Sequence, residues 1–282
     1  MVNLWISPRY VPNIKNLDHN YSTYAYELEY NRDFTPAAAQ SYIDAIAMEL
    51  APMYLEISQD SWFLYGLFEA QDRPATFAYV EKLAAAAGGS IAECFNLMNE
   101  HGLYNIALSE KKMDSSFCIF LPDYMVPYVF VNPTGTNYDS LTFTHEFGHF
   151  CNGYLSEGEE PGIDVAEFFS QGLEYLSLSY GTGGLDQLAM FSSLGVYVEQ
   201  SMYADFELAV YNIPEDQLSV EALRNAFGNA LKKFGMYSDL VDETSFVAIP
   251  HFYVSPQYVI SYVVSNDAAL QLYQMELLNP GS

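Results

Sequence analysis

Residues 145–149 read His145-Glu146-Phe147-Gly148-His149. If this stretch is helical, its two histidines lie one turn apart and about 40° apart around the axis. Two imidazoles so placed can converge on one metal ion, with Zn–N bonds of about 2.0–2.1 Å. Glu146, next to the first ligand, is then free to act as a general base on the attacking water. With only five histidines in 282 residues, chance is a poor explanation of this spacing.

The surrounding residues suit a helix anchored in a core. Phe143, Phe147, Phe150 and Tyr154 recur at i, i+4, i+7 and i+11, a stripe roughly opposite the two histidines. Asp139 or Ser140 can cap the helix. Gly148 is a poor helix former, and close approach of another backbone would explain it.

A catalytic zinc takes three protein ligands and keeps one position open. No third histidine follows at the spacing of a longer histidine motif, so a carboxylate is expected. Glu160, Asp164, Glu167 and Glu174 all remain candidates on spacing. Glu167 also has an ordinary reading, as a capping-box partner of Asp164 at the start of a second helix.

The elements that must hold these residues are mostly helical. Thr35-Pro36 opens a helix to about Leu50. Pro52 restarts one to Phe68, and Pro74 opens another that ends at Gly88-Gly89. Ser90 and Glu93 form a capping box for a fourth, closed by Gly102. Residues 117–121 and 128–131 are β-branched and aromatic and read as a strand pair. Further helices are expected over 139–155, 164–180, 186–211, 219–234 and 256–277. The fold class is mainly α (α+β), with a small antiparallel sheet. One domain over 1–282 is expected, with a helical N-terminal part of about 1–105 and a metal-site part of about 106–282.

Composition bounds the partners. Half of the residues are hydrophobic and 16% aromatic, including 24 Tyr and 19 Phe, which suits a folded core rather than a disordered chain. The formal net charge is −26, from 36 acidic against 10 basic residues. That surface repels nucleic acid and anionic membrane, so neither is expected as a partner. The three cysteines, Cys94, Cys118 and Cys151, make no disulfide framework and suit a reducing compartment. Residues 1–20 lack the pattern of a signal peptide, and no apolar run approaches the roughly 18 residues of a membrane span. A soluble, cytoplasmic protein is expected.

One family combines these features. His145-Glu-Phe-Gly-His149, then Asp164-Val-Ala-Glu167-Phe-Phe-Ser170-Gln171, then Pro250-His251-Phe-Tyr253 with Tyr258 and Tyr262, resembles the thimet oligopeptidase and oligoendopeptidase F family. Residues 111–132 and the run Met202-Tyr-Ala-Asp-Phe-Glu207 resemble family segments too, so the likeness covers about 100–275. It implies a helical zincin-type catalytic domain, one zinc per chain, and Glu167 as the third metal ligand beside His145 and His149. It implies catalytic roles for Glu146, His251 and Tyr262, with Tyr258 and Tyr253 binding substrate. The implied activity is endopeptidase hydrolysis of oligopeptides through a metal-activated water. The alternatives are a catalytically idle zinc-binding relative that binds peptides or a partner chain, and a zinc exopeptidase. Family members are about twice as long, and their N-terminal half walls a channel for short peptides. A missing N-terminal half or a homo-oligomer is therefore expected to complete the cleft.

Overall fold

The computed structural model describes residues 21–112, 115–159, 162–180 and 184–281. Glu160 lies outside these residues, as does the N-terminal segment read above for a signal peptide. In chain order the helices are α1 (Tyr21–Tyr24, continued as a π-helical turn to Glu29), α2 (Pro36–Glu49), α3 (Ala51–Ser58), α4 (Ser61–Leu67), α5 (Arg73–Ala87) and α6 (Gly89–Glu100). They continue with α7 (Tyr138–Leu155), α8 (Ile163–Ser179), α9 (Asp186–Gly195), α10 (Ser201–Tyr211), α11 (Val220–Lys233), α12 (His251–Val254) and α13 (Ile260–Leu278). The strands are β1 (Tyr104–Asn105), β2 (Phe117–Leu121) and β3 (Val126–Phe130). Among the described residues no helix is long and apolar enough to cross a membrane.

The fold is mainly α with a small sheet, and the expected helix start at Thr35 is present, as is one at Ser219. Thr35 accepts from the Ala38 N–H and Ser219 from the Ala222 N–H, each capping a helix N-terminus. Other details differ. Residues 52–68 form two helices, because the Asp60 carboxylate accepts from the Trp62 and Phe63 amides and starts α4 afresh. Ser90 does not cap α6, whose N-cap is Gly88 at φ +67°. The sheet is mixed, in the order β1-β3-β2: β2 runs antiparallel to β3 and β1 parallel to it. Asp139 does not cap α7. It lies within the helix, and its carboxylate accepts from the Thr134 and Gly135 amides, tying down the preceding loop. The expected helix over 256–277 begins only at Ile260, so Tyr258 precedes it and is not one turn before Tyr262 on the same helix.

The chain divides into two compact units, each discontinuous in sequence. One comprises residues 60–193 and 264–282. Its core is built on the stripe of α7: Phe143, Phe147 and Phe150 are fully buried, while Tyr154 reaches the surface. Phe147 meets Phe95 of α6 edge-on at 5.8 Å, and Phe143 stacks on Phe77 of α5 at 6.1 Å. Cys151 is buried in this core with Cys94, and burial raises its thiol pKa.

The other unit comprises residues 1–59 and 194–263. Phe206 of α10 is at its centre, in ring contact with Phe227, Phe246 and Phe252 at 5.0–5.5 Å. The next residue, Glu207, is also buried, and its Oε1 accepts from the Gln257 N–H at 2.8 Å. Burial pushes its carboxyl up to about 8, against the opposing pull of that amide and of Arg32. Tyr211 also faces it. Between the ordinary value of 4.5 and about 8, the folded chain keeps a proton that the unfolded chain has released. Stability is therefore expected to fall as pH rises through that window, by up to about 1.4 kcal/mol per unit from this group. Glu207→Gln removes the titration. Denaturant melts of both proteins at several pH values between 5 and 8 should show the wild type losing stability relative to the variant. A pH-independent difference would refute the buried neutral carboxyl.

Candidate metal centre

The chemistry-bearing residues of α7 and α8 meet within one unit. Glu167 is buried in the first half of α8, while His145 and His149 are partly exposed on α7. The His145 and His149 Nε2 atoms are 3.2 Å apart. Glu167 Oε2 is 3.5 Å from His145 Nε2, and its Oε1 is 3.7 Å from His149 Nε2. A tetrahedral ion with bonds of about 2.0–2.1 Å has ligand atoms about 3.3 Å apart. The triangle formed by these three side chains has that size, and the ligand types are the borderline N/O set that zinc accepts.

Glu174 occupies a different place. Its Oε1 is 2.7 Å from His145 Nδ1, the nitrogen turned away from His149 and Glu167. A proton on Nδ1, donated to Glu174, leaves the Nε2 lone pair for a cation and fixes the ring plane. Glu167 and Glu174 are seven residues, or two turns, apart and so share one face of α8. Sequence reasoning counted Glu174 as a possible ligand and missed this orienting role. The seven-residue spacing was the available signal. Asp164 sits in the first turn of α8, and its carbonyl accepts from Ser265 Oγ at 2.6 Å.

Electrostatics favours positive charge here. Burial opposes protonation of His145, but hydrogen bonds to Glu167 and Glu174 outweigh it and hold its pKa well above the ordinary value. His149 is pushed down to about 4, chiefly by burial, which suits a neutral ligand. Glu146 is buried, and its carboxyl is raised to about 7. Burial is the main cause; His145 pulls the other way, and the charges of Glu167 and Glu174 add to the rise. A carboxyl near neutrality is matched to taking a proton and giving it back.

Gly148 has the close contact that its sequence position suggested. A Cβ there would lie 2.5 Å from Ser170 Cα and 3.0 Å from the Phe169 carbonyl oxygen. The obstacle is the backbone of α8, which cannot rotate aside. Gly148→Ala is expected to destabilise the fold by at least about 1–3 kcal/mol and, by separating the helices that hold the triangle, to weaken zinc binding. Thermal melts with and without zinc check both effects. An unchanged melting temperature would mean that the two helices are not packed this closely.

The remaining predicted residues lie in the other unit. His251 starts α12, and its Nε2 is 3.3 Å from the Tyr262 hydroxyl. Ring centroids are 5.6 Å apart for His251 and Tyr258, and 5.2 Å for Tyr258 and Tyr262. These three form one cluster. The Tyr253 hydroxyl donates to the Phe246 carbonyl at 3.5 Å.

No protein-family model matches the sequence, and no curated protein matches it either. Solved structures do. An oligoendopeptidase F superposes with a TM-score of 0.78 at 19% identity, covering 93% of this chain and 52% of its own. Pz peptidase A, solved with an inhibitor, gives 0.77 at 18% identity, over 91% of this chain and 52% of that one. An oligoendopeptidase F from Bacillus anthracis gives 0.73 at 20% identity, over 92% and 50%. The chain thus spans about half the length of the solved structures it matches, and over that half it has the fold of oligoendopeptidase F and related peptidases.

Proposed function

We propose that this chain is a zinc-dependent endopeptidase acting on oligopeptides. The observation that carries the reading is the triangle of His145, His149 and Glu167 with the buried Glu146 on the same helix. Zinc bound there supplies Lewis-acid chemistry, lowering the pKa of water and polarising a peptide carbonyl. Glu146 accepts the proton of the attacking water and passes it to the departing amine. Glu174 keeps His145 in the tautomer that leaves Nε2 unprotonated. The donor to the oxyanion is Tyr262 or His251, and Tyr258 and Tyr253 bind substrate. These roles rest on the family resemblance and are supported by the mutual contacts of His251, Tyr258 and Tyr262.

Mass spectrometry of a mixed peptide pool, incubated with the zinc-loaded chain, tests the activity. Internal cuts support it, and a ladder of single-residue losses indicates an exopeptidase. No cleavage with zinc bound points to the idle relative. A further half or a second copy of the chain would complete the peptide cleft in this reading. Sedimentation of the cleaving species identifies which. The three cysteines, free in this structure, support a reducing compartment such as the cytoplasm.

Tyr262→Phe separates catalysis from binding. A hydroxyl that donates only to the oxyanion makes its contact in the transition state, so kcat and kcat/KM should fall together by about 10²–10³, with KM little changed. A rise in KM at constant kcat would make Tyr262 a groove residue instead.

A further inference from the structure

Tyr258 lies in a break between two helices, and Tyr262 lies in the first turn of the helix that follows. Residues 255–259 are irregular, and Gln257 within them has φ +66°. That left-handed conformation is strained for a residue with a side chain and persists only where its surroundings enforce it. Three side chains distant in sequence supply the enforcement. The Tyr30 hydroxyl donates to the Pro256 carbonyl at 2.8 Å. Glu207 Oε1 accepts from the Gln257 N–H at 2.8 Å. An Arg32 guanidinium N–H donates to Ser261 Oγ at 2.8 Å. Arg32 is itself held, its guanidinium carbon 4.5 Å from the ring centroids of both Tyr26 and Tyr30.

The three bonds grip one short segment at its carbonyl, its amide and its hydroxyl. Tyr258 lies between the second and third grips, and Tyr262 directly follows the third. Glu207 is the least expected of the three. It is 1% exposed, and among the described residues its Oε2 has no hydrogen-bond partner. A buried carboxyl with one oxygen in use is costly. What it secures is the amide of the strained residue.

We propose that Glu207, together with Tyr30 and Arg32, is a positioning residue that holds Gln257 left-handed and thereby sets the Tyr258 and Tyr262 rings against His251. The consequence for turnover rests on the functional reading above; the clamp rests on the geometry.

Two substitutions separate the acceptor from the bulk. Glu207→Gln keeps an oxygen that can accept the Gln257 N–H, and Glu207→Leu keeps the volume without it. Hydrogen exchange of the fragment covering 255–262 should quicken in Glu207→Leu and stay near wild type in Glu207→Gln. With zinc content unchanged, Glu207→Leu should lower kcat/KM by about 10- to 100-fold, and Glu207→Gln should restore most of it. In a Tyr262→Phe background the same Leu substitution should cost much less, because both act through one group. Unchanged exchange, or fully additive losses, would overturn the proposal. If Glu207→Leu does not fold, Tyr30→Phe removes a single grip and should quicken exchange over the same fragment; no change there also overturns it. If the wild type cleaves no peptide, the functional reading fails while the exchange measurement still decides the clamp.

Discussion

Glu146→Gln is expected to abolish nearly all turnover while one zinc per chain stays bound. The carboxamide keeps the size and shape of the side chain but cannot take a proton from water at neutral pH. A positioned general base contributes typically about 10²–10⁴ in rate, and loss at the upper end is expected because the same carboxyl must both accept and return the proton. In the metal-free chain Glu146 is buried and its carboxyl is held at about 7, chiefly by burial; a cation bound beside it would favour the carboxylate that accepts the proton. The loss should fall on kcat and kcat/KM alike, since Glu146 has no part in holding the substrate in its ground state. Steady-state kinetics on a quenched-fluorescent peptide, with elemental analysis of the same preparation, decides it. Retained turnover would remove Glu146 as the base, and lost zinc would place it among the ligands.

Metal content should rank the carboxylates of α8. Glu167→Ala and His149→Ala each remove a corner of the triangle, and both proteins should emerge from dialysis with little zinc. Glu174→Ala removes only the partner of His145 Nδ1, which lies 2.7 Å away. Such an outer partner typically accounts for about 10- to 100-fold in affinity, so Glu174→Ala should still bind zinc in excess metal and lose it to weaker chelators than the wild type does. His145 should also titrate differently in the metal-free variant, because one of the two hydrogen bonds that raise its pKa is gone. Competition against chelators of graded affinity measures the ranking. If Glu174→Ala proves the more damaging change, Glu174 is the ligand and Glu167 the support.

The part of the candidate metal site carried by α7 was legible because its information is local. His145, Glu146 and His149 owe their relation to the pitch of one helix, and the Phe143, Phe147 and Phe150 stripe fixes which side of that helix faces the core. Even Gly148 announced a close neighbour, since a glycine inside a helix needs a compensating contact. The identity of that neighbour, the backbone at Ser170, depends on the packing of α7 against α8. The same packing separates the two glutamates, which have one side-chain type and share one helix face. Only the approach of α7 brings Glu167 to the Nε2 atoms and Glu174 to Nδ1.

Elsewhere the sequence signals were true but incomplete. The turn between β2 and β3 marked a hairpin, whereas β1 is two residues long and carries no period of its own; it exists because β3 offers it a parallel edge. Pro256 is a fair helix opener, so 256–277 reads as one helix. In the folded chain the stretch ahead of Ile260 is irregular instead, with the Tyr30 hydroxyl on the Pro256 carbonyl and Glu207 on the Gln257 amide. Helical period and the spacing of the two histidines act over a few residues and were determined by the sequence alone. Which carboxylate meets the two histidine Nε2 atoms, and where the tyrosine-bearing helix begins, was decided by contacts between residues far apart in the chain, which become neighbours only once the units have folded.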